Sequence, residues 1–192
     1  IETIYEQCKD SCDVIFFSGE LGYSYMLTHV SNIQIPCTFV SYEEKHILSI
    51  LLNFVIRYPE IPLNRIYIDF LTPVNDFMNL KQYLAPNYMP YVFENPVYNY
   101  HTLKERAEEL WSQKKIDMML TRTTNQLDVL NKLKIPYIHF LPTEQMVRDS
   151  IRTAIDTILN PRLKGVTDGN YKLTAADKEM LDKAVEAAVK VV

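Results

Sequence analysis

Cys12-Asp13-Val14-Ile15-Phe16-Phe17-Ser18-Gly19 and Ile116-Asp117-Met118-Met119-Leu120-Thr121-Arg122 decide the fold, because each reads as a rewriting of the other. In both, an Asp opens a short run with no polar residue and a hydroxyl closes it. A helix-like stretch follows, and then an Ile-Pro pair leads a second run: Ile35-Pro36-Cys37-Thr38-Phe39-Val40 in the first copy, Ile135-Pro136-Tyr137-Ile138-His139-Phe140 in the second. Apolar residues on consecutive positions are what a parallel strand covered on both faces requires, since alternation is needed only where one face meets water. The pattern predicts one βαβ unit used twice.

Outward from these copies, strands and helices alternate about six times, which specifies an α/β fold with mainly parallel sheet and right-handed crossovers. Ile1, Ile4, Tyr5 and Cys8 have helical spacing, so the chain is expected to begin inside a helix whose preceding strand is absent from it. From His46 to Arg57 the polar positions His46, Ser49, Asn53 and Arg57 share one stripe, and the rest of the helix is apolar. Two readings of it stand: burial within the chain, or a subunit interface. Tyr58-Pro59-Glu60-Ile61-Pro62 breaks the pattern before a strand over 65–71. A helix is expected over 74–84 with Phe77, Leu80 and Leu84 on one side, and a short strand near 91–93. Thr102-Leu103-Lys104-Glu105 has the spacing of a capping box, in which each side chain satisfies the other's free backbone N–H. After Leu141-Pro142-Thr143 a helix runs to about Leu159, a linker covers 161–173, and a final helix covers 174–192.

Composition bounds the function. A chain of 192 residues buries roughly 70% of its unfolded surface, enough for two modest cores. With 47% hydrophobic and 23% charged residues it is globular, and a net charge of -4 with no basic run argues against a nucleic-acid surface in this chain. Cys8, Cys12 and Cys37 are odd in number, which predicts free thiols in a reducing, cytoplasmic setting rather than a disulfide framework. No secretory leader is recognisable. The longest apolar stretch, 47–56, is far shorter than the roughly 20 residues a transmembrane helix needs.

In parallel α/β sheets, ligands collect at the carboxyl ends of strands, where helix N-termini offer unpaired N–H groups. Those ends are Ser18, Gly19 and Glu20, then Ser41 and Tyr42, Thr72, Asn95, Thr121, Arg122 and Thr123, and Thr143. Arg122 is the best anion clamp among them, because a guanidinium holds a carboxylate through two parallel hydrogen bonds. The competing reading is that the hydroxyls only cap helices. Tyr88, Tyr91, Tyr98 and Tyr100 crowd one region, where they either stack on a ligand or close the edge of a core. No catalytic residue is expected: His29, His46, His101 and His139 are dispersed, and no nucleophile pairs with a base. No cofactor is expected either, because there is no P-loop and 18–22 lacks the glycines of a dinucleotide fingerprint. Cys8 and Cys12 have no second ligand pair, so no metal site is expected. Asp13 and Asp117 precede their strands and belong to the wrong end of a sheet for ligand chemistry.

Asp13 to Gly19 entering a helix, the Ile35-Pro36 strand with its long following helix, Ile116 to Thr121, and Lys134-Ile135-Pro136 leading to Thr143-Glu144 and the helix 146–158 together resemble a known family. It is the amino-terminal sensor domain of bacterial transcriptional regulators typified by the propionate catabolism activator. The resemblance implies a periplasmic-binding-protein-like fold of two Rossmann-like lobes with parallel sheets and a C-terminal helix. Lobe one would be 1–60 with 142–160, and lobe two 61–141. It implies a cytoplasmic, non-enzymatic module that closes its lobes on a small organic effector and relays the change through 174–192 to an output domain beyond this chain, which alone would touch DNA. A homo-oligomer is expected through the apolar helix 47–56 or the C-terminal helix. A stand-alone solute-binding protein of an uptake system and an α/β enzyme are the rival readings.

Overall fold

A computed structural model describes residues 1–95 and 98–163. Of the linker expected over 161–173, residues 164–173 lie outside the described residues, as does the final helix expected over 174–192. The fold is α/β with two parallel sheets. In order, the elements are α1 (Glu2–Cys8), β1 (Ile15–Phe17), α2 (Glu20–His29), β2 (Cys37–Phe39), α3 (Glu44–Arg57), β3 (Ile66–Ile68), β4 (Tyr91–Val92), α4 (Tyr100–Ser112), β5 (Met118–Thr121), α5 (Leu127–Leu133), β6 (Tyr137–His139) and α6 (Glu144–Leu163). Helix α6 passes through Pro161, where a linker was expected to begin.

The two copies of the repeat form the same ladder. In the first, β1 pairs with β2 so that Ile15 faces Cys37; in the second, β5 pairs with β6 so that Met119 faces Tyr137. Each register begins two residues after the Asp and one after the Pro. The flanking bonds match too: Ile15 N–H donates to Pro36 O at 2.9 Å and Met119 N–H to Pro136 O at 2.9 Å. At the far ends Val40 N–H donates to Phe17 O at 3.1 Å, and Phe140 N–H to Thr121 O at 2.8 Å. Proline sits where the strand needs only its carbonyl, which is why an Ile-Pro pair can open both inner runs.

By contacts the chain divides into 1–41 with 142 onward, and Tyr42–Leu141. In the first unit Tyr5, Met26, Val40, Met146, Val147, Ile151 and Ala154 are buried. The Tyr5 hydroxyl accepts from Gln34 N–H at 2.7 Å and donates to Asn32 O at 3.2 Å, anchoring α1 to the segment before β2. Gly22 lets α2 lie against β1, since a Cβ there would come within 3.0 Å of the Phe17 ring.

In the second unit the sheet order is β4-β3-β5-β6, all parallel. Its core joins Ile47, Leu51 and Phe54 of α3 to Ile66, Ile68, Phe70, Leu71, Met118 and Leu120. Helix α3 therefore belongs with 61–141 rather than with lobe one. Its buried face matches this sheet, and the division falls at 41/42 instead of near 60.

Two other expectations are overturned. The helix expected over 74–84 is instead a run of 3-10 turns over Pro73–Gln82, interrupted by four left-handed residues, Asp76, Phe77, Met78 and Asn79, with φ of 47, 51, 48 and 56°. The turn is held by Phe77 N–H donating to Thr72 O at 3.0 Å, by Asn75 Nδ2 donating to Phe70 O at 2.8 Å, and by burial of Met78 and Leu80. Helix α4 starts at Tyr100, earlier than its expected cap. Asn99 takes the capping role, accepting from Thr102 N–H at 3.0 Å while Thr102 Oγ1 accepts from Asn99 N–H at 3.3 Å.

Phe54 is fully buried in this core, so Phe54→Ala should lower stability by about 3–5 kcal/mol in denaturant titrations. Lys134, exposed at the end of α5, has φ 55° and ψ 37°, so Lys134→Gly should raise stability by about 1 kcal/mol by removing the left-handed penalty of a Cβ.

Candidate functional site

From β3 the chain of the second unit crosses to β4 on one side and then returns to β5 on the other. The strand order reverses between β3 and β5, and the crevice outside the carboxyl ends of such a pair is where open α/β sheets bind ligands. Asp69 follows β3 directly, Thr121 ends β5, and Arg122 follows it.

Asp69 has no exposed surface. Its Oδ2 accepts from Thr121 Oγ1 at 2.5 Å and from Gln126 Nε2 at 3.0 Å, and Oδ1 accepts a longer bond from Arg122 N–H at 3.4 Å. Thr121 Oγ1 in turn accepts from Thr123 N–H at 3.0 Å. Burial pushes the Asp69 carboxyl up to about 6, against the hydrogen bond from Thr121 and the charge of Arg122, which both lower it. Thr121 is also fully buried. With both side chains fully buried, the Thr121–Asp69 pair braces the end of β5 against the end of β3.

Above the brace, the Arg122 guanidinium carbon lies 4.0 Å from the Tyr42 ring centre and 4.6 Å from that of Phe70. The two rings are stacked at 6.4 Å, and Phe140 meets Phe70 edge-on at 6.5 Å. Aromatic faces hold a guanidinium by its quadrupole attraction, each such contact contributing about 0.5–2 kcal/mol. Stacking engages the faces of the cation, whereas its N–H donors lie in its plane. Burial raises the Tyr42 phenol and the charge of Arg122 opposes that rise.

Of the residues singled out in the sequence, Tyr42, Thr121, Arg122 and Thr123 come together here. Thr72 is buried at the start of the left-handed segment, its N–H donating to Asn75 Oδ1 at 3.1 Å. Asn95 lines a separate open groove of about 1160 Å³ with Phe93, Arg106 and Trp111. The groove carries Glu94, Glu105, Glu108 and Glu109, and Arg106 is engaged by Glu109 at 2.7 Å, so it offers an anion little. In the first unit, Ser18 is exposed and Gly19 caps α2 in extended conformation with open space where a Cβ would be, so no close backbone approach demands glycine there. Glu20 is buried in the first turn of α2, where the helix dipole favours a carboxylate. Ser41 N–H donates to Ser150 Oγ at 3.3 Å, and Thr143 Oγ1 accepts from Met146 N–H at 3.2 Å as the cap of α6.

Asp69 and Phe70 escaped the sequence reading. Their signal was present: Asp69 is the lone charge inside the apolar run 66–71. Asp117, at the amino ends, pairs with Arg65 through bonds of 2.8 and 2.5 Å. Among the described residues no cluster of three His, Cys, Asp or Glu could hold a metal, and no helix is long and apolar enough to cross a membrane. No protein-family model and no curated protein matches the chain.

The elevated Asp69 carboxyl sets a pH dependence. Between its unfolded value near 3.9 and about 6 the folded state holds more protons than the unfolded state, so stability falls as pH rises through that window and levels off above it. The wild type should lose about 2 kcal/mol relative to Asp69→Asn between about pH 4 and pH 6, measured as the difference between their denaturation free energies. A pH-independent difference refutes the assignment.

Proposed function

We propose that the chain is an effector-sensing regulatory module that binds a small organic anion, with Arg122 as its anchor. One observation carries the reading: a guanidinium mounted on the Tyr42 and Phe70 rings at the point where the strand order reverses. Charge-assisted recognition needs a donor fork held in place before the ligand arrives, since ordering a long side chain on binding costs affinity. Two aromatic contacts on the guanidinium, and the Asp69 brace beneath its backbone, supply that preorganisation. The likeness to the sensor domains of propionate-type activators supports a regulatory, cytoplasmic role, in which any DNA contact belongs to an output domain outside this chain. The sealing of Thr121 and Asp69 from solvent weighs against an enzyme reading.

A thermal-shift panel of small carboxylates and phosphorylated metabolites tests the proposal. A ligand that binds only the native state at a hundredfold excess over Kd stabilises it by about 2.7 kcal/mol. At least one panel member should raise the midpoint of the wild type and not that of Arg122→Ala, which should stay folded because Arg122 is only half-buried. A panel that shifts neither protein, or both equally, rejects Arg122 as the anchor.

A further inference from the structure

Arg122 meets a buried carboxylate through its backbone and two aromatic rings through its side chain. Its guanidinium lies against Tyr42 and Phe70, while its N–H donates to Asp69 Oδ1 at 3.4 Å. Asp69 has no exposed surface, so water does little to screen the carboxylate from the cation, and their interaction has the strength of a protein interior rather than of bulk solvent. Two influences oppose each other there: burial favours the protonated acid, and the charge of Arg122 favours the carboxylate. The two oxygens are not equivalent. Oδ2 takes the shorter bonds, from Thr121 Oγ1 and Gln126 Nε2, which leaves Oδ1 the better place for a proton.

We propose that an anion bound by Arg122 brings a proton with it, taken up by Asp69, so that the site responds to pH and to its ligand together. The proposal rests on Arg122 as the anion anchor and adds what regulates it. An anion on the guanidinium offsets the charge that favours the Asp69 carboxylate; burial then prevails, and Oδ1 takes a proton from solvent. Linkage is reciprocal: protonating Asp69 removes a negative charge that competes for Arg122, so the anion binds more tightly. Binding is strongest below the pH at which Asp69 titrates and weakens above it. The neighbouring groups play other parts. Tyr67, on the same strand, is pushed well above the usual phenol range by burial and stays protonated, and Arg106 and Tyr98 act on Tyr67. His139 meets Thr124 Oγ1 at 3.4 Å, and His46 meets the Tyr42 ring edge-on at 6.4 Å. Both are histidines, so each calls for a control.

The Asp69 side-chain carboxyl carbon, followed by NMR in the full chain, should titrate at about 6. Arg122→Gln keeps the backbone N–H and removes the charge, and should raise that midpoint by about one unit; Arg122→Lys, which keeps a charge, should raise it less. A midpoint that Arg122→Gln leaves in place overturns the linkage, whether or not an anion binds. Sulfate, which has no titration of its own between about pH 5 and 8, should raise the wild-type midpoint when bound. By reciprocity with a one-unit shift, its affinity should be about tenfold higher at the acid end of that range than at the other. This dependence should vanish in Asp69→Asn and persist in His46→Gln and His139→Gln. Sulfate that binds without moving the midpoint, or a dependence that survives Asp69→Asn, overturns the proposal and leaves the anchor standing. If Arg122→Gln raises the midpoint but neither sulfate nor any member of the carboxylate and phosphate panel binds, the anchor itself fails, and the proposal with it.

Discussion

A carboxylate with no access to water must find all its partners inside the protein, and Asp69 finds them on one neighbouring segment. Thr121, Arg122 and Gln126 all donate to it, so the turn leaving β5 is tied to the end of β3. Without that tie the segment after β5 would have several ways to leave the sheet. With it, the backbone of Arg122 is fixed and its side chain starts from a defined point beside Phe70, which follows Asp69 in the chain. The same two strands are joined at their other ends by Arg65 and Asp117, but that pair is partly exposed, and exposed pairs contribute little, typically below about 1 kcal/mol. The two clamps are therefore unequal: one trims the amino ends, while the other decides where the Arg122 guanidinium sits.

The repeat was legible because it lives in residues whose constraints are local. A proline that must not sit within a hydrogen-bonded ladder, and apolar positions that must be covered on both faces, leave a pattern that survives without tertiary information. Both copies accordingly show one register, set by the same offsets from Asp and Pro. Arg122 and Thr121 were legible for the same reason, as residues just after an unmistakable strand. Asp69 was not, because reading 65–71 as a single strand placed its carboxylate within the run, whereas the ladder assigned to β3 stops at Ile68. Tyr42 was picked as a residue after a strand, but that it stacks on Arg122 depends on packing that no spacing rule contains.

The misread segments fail for definite physical reasons. Both 99–102 and 102–105 have the spacing of a reciprocal cap, and the choice between them rests on where the chain leaves the preceding loop. Over 73–82 the apolar spacing suits a right-handed helix, yet the four consecutive residues Asp76 to Asn79 are left-handed. For residues with a Cβ that costs roughly 1–2 kcal/mol each, so the surroundings must offset it. Burial of Met78 and Leu80 can contribute about 1.5–3 kcal/mol apiece, and Asn79 Nδ2 donates to Glu44 Oε2 at 3.0 Å. Tertiary packing has overridden local preference.

That strained turn begins just after Thr72, at the carboxyl end of β3, on the rim of the proposed site. Conformations of this kind persist only where neighbours over-determine them, and they concentrate where a ligand must be received. The neighbour supplying part of the constraint is α3, through Glu44 at its first residue. Tyr42, the ring over which Arg122 stacks, lies two residues before the same helix. The segment 42–44 at the amino end of α3 therefore carries both the ring that stacks on Arg122 and the acceptor that holds the strained turn.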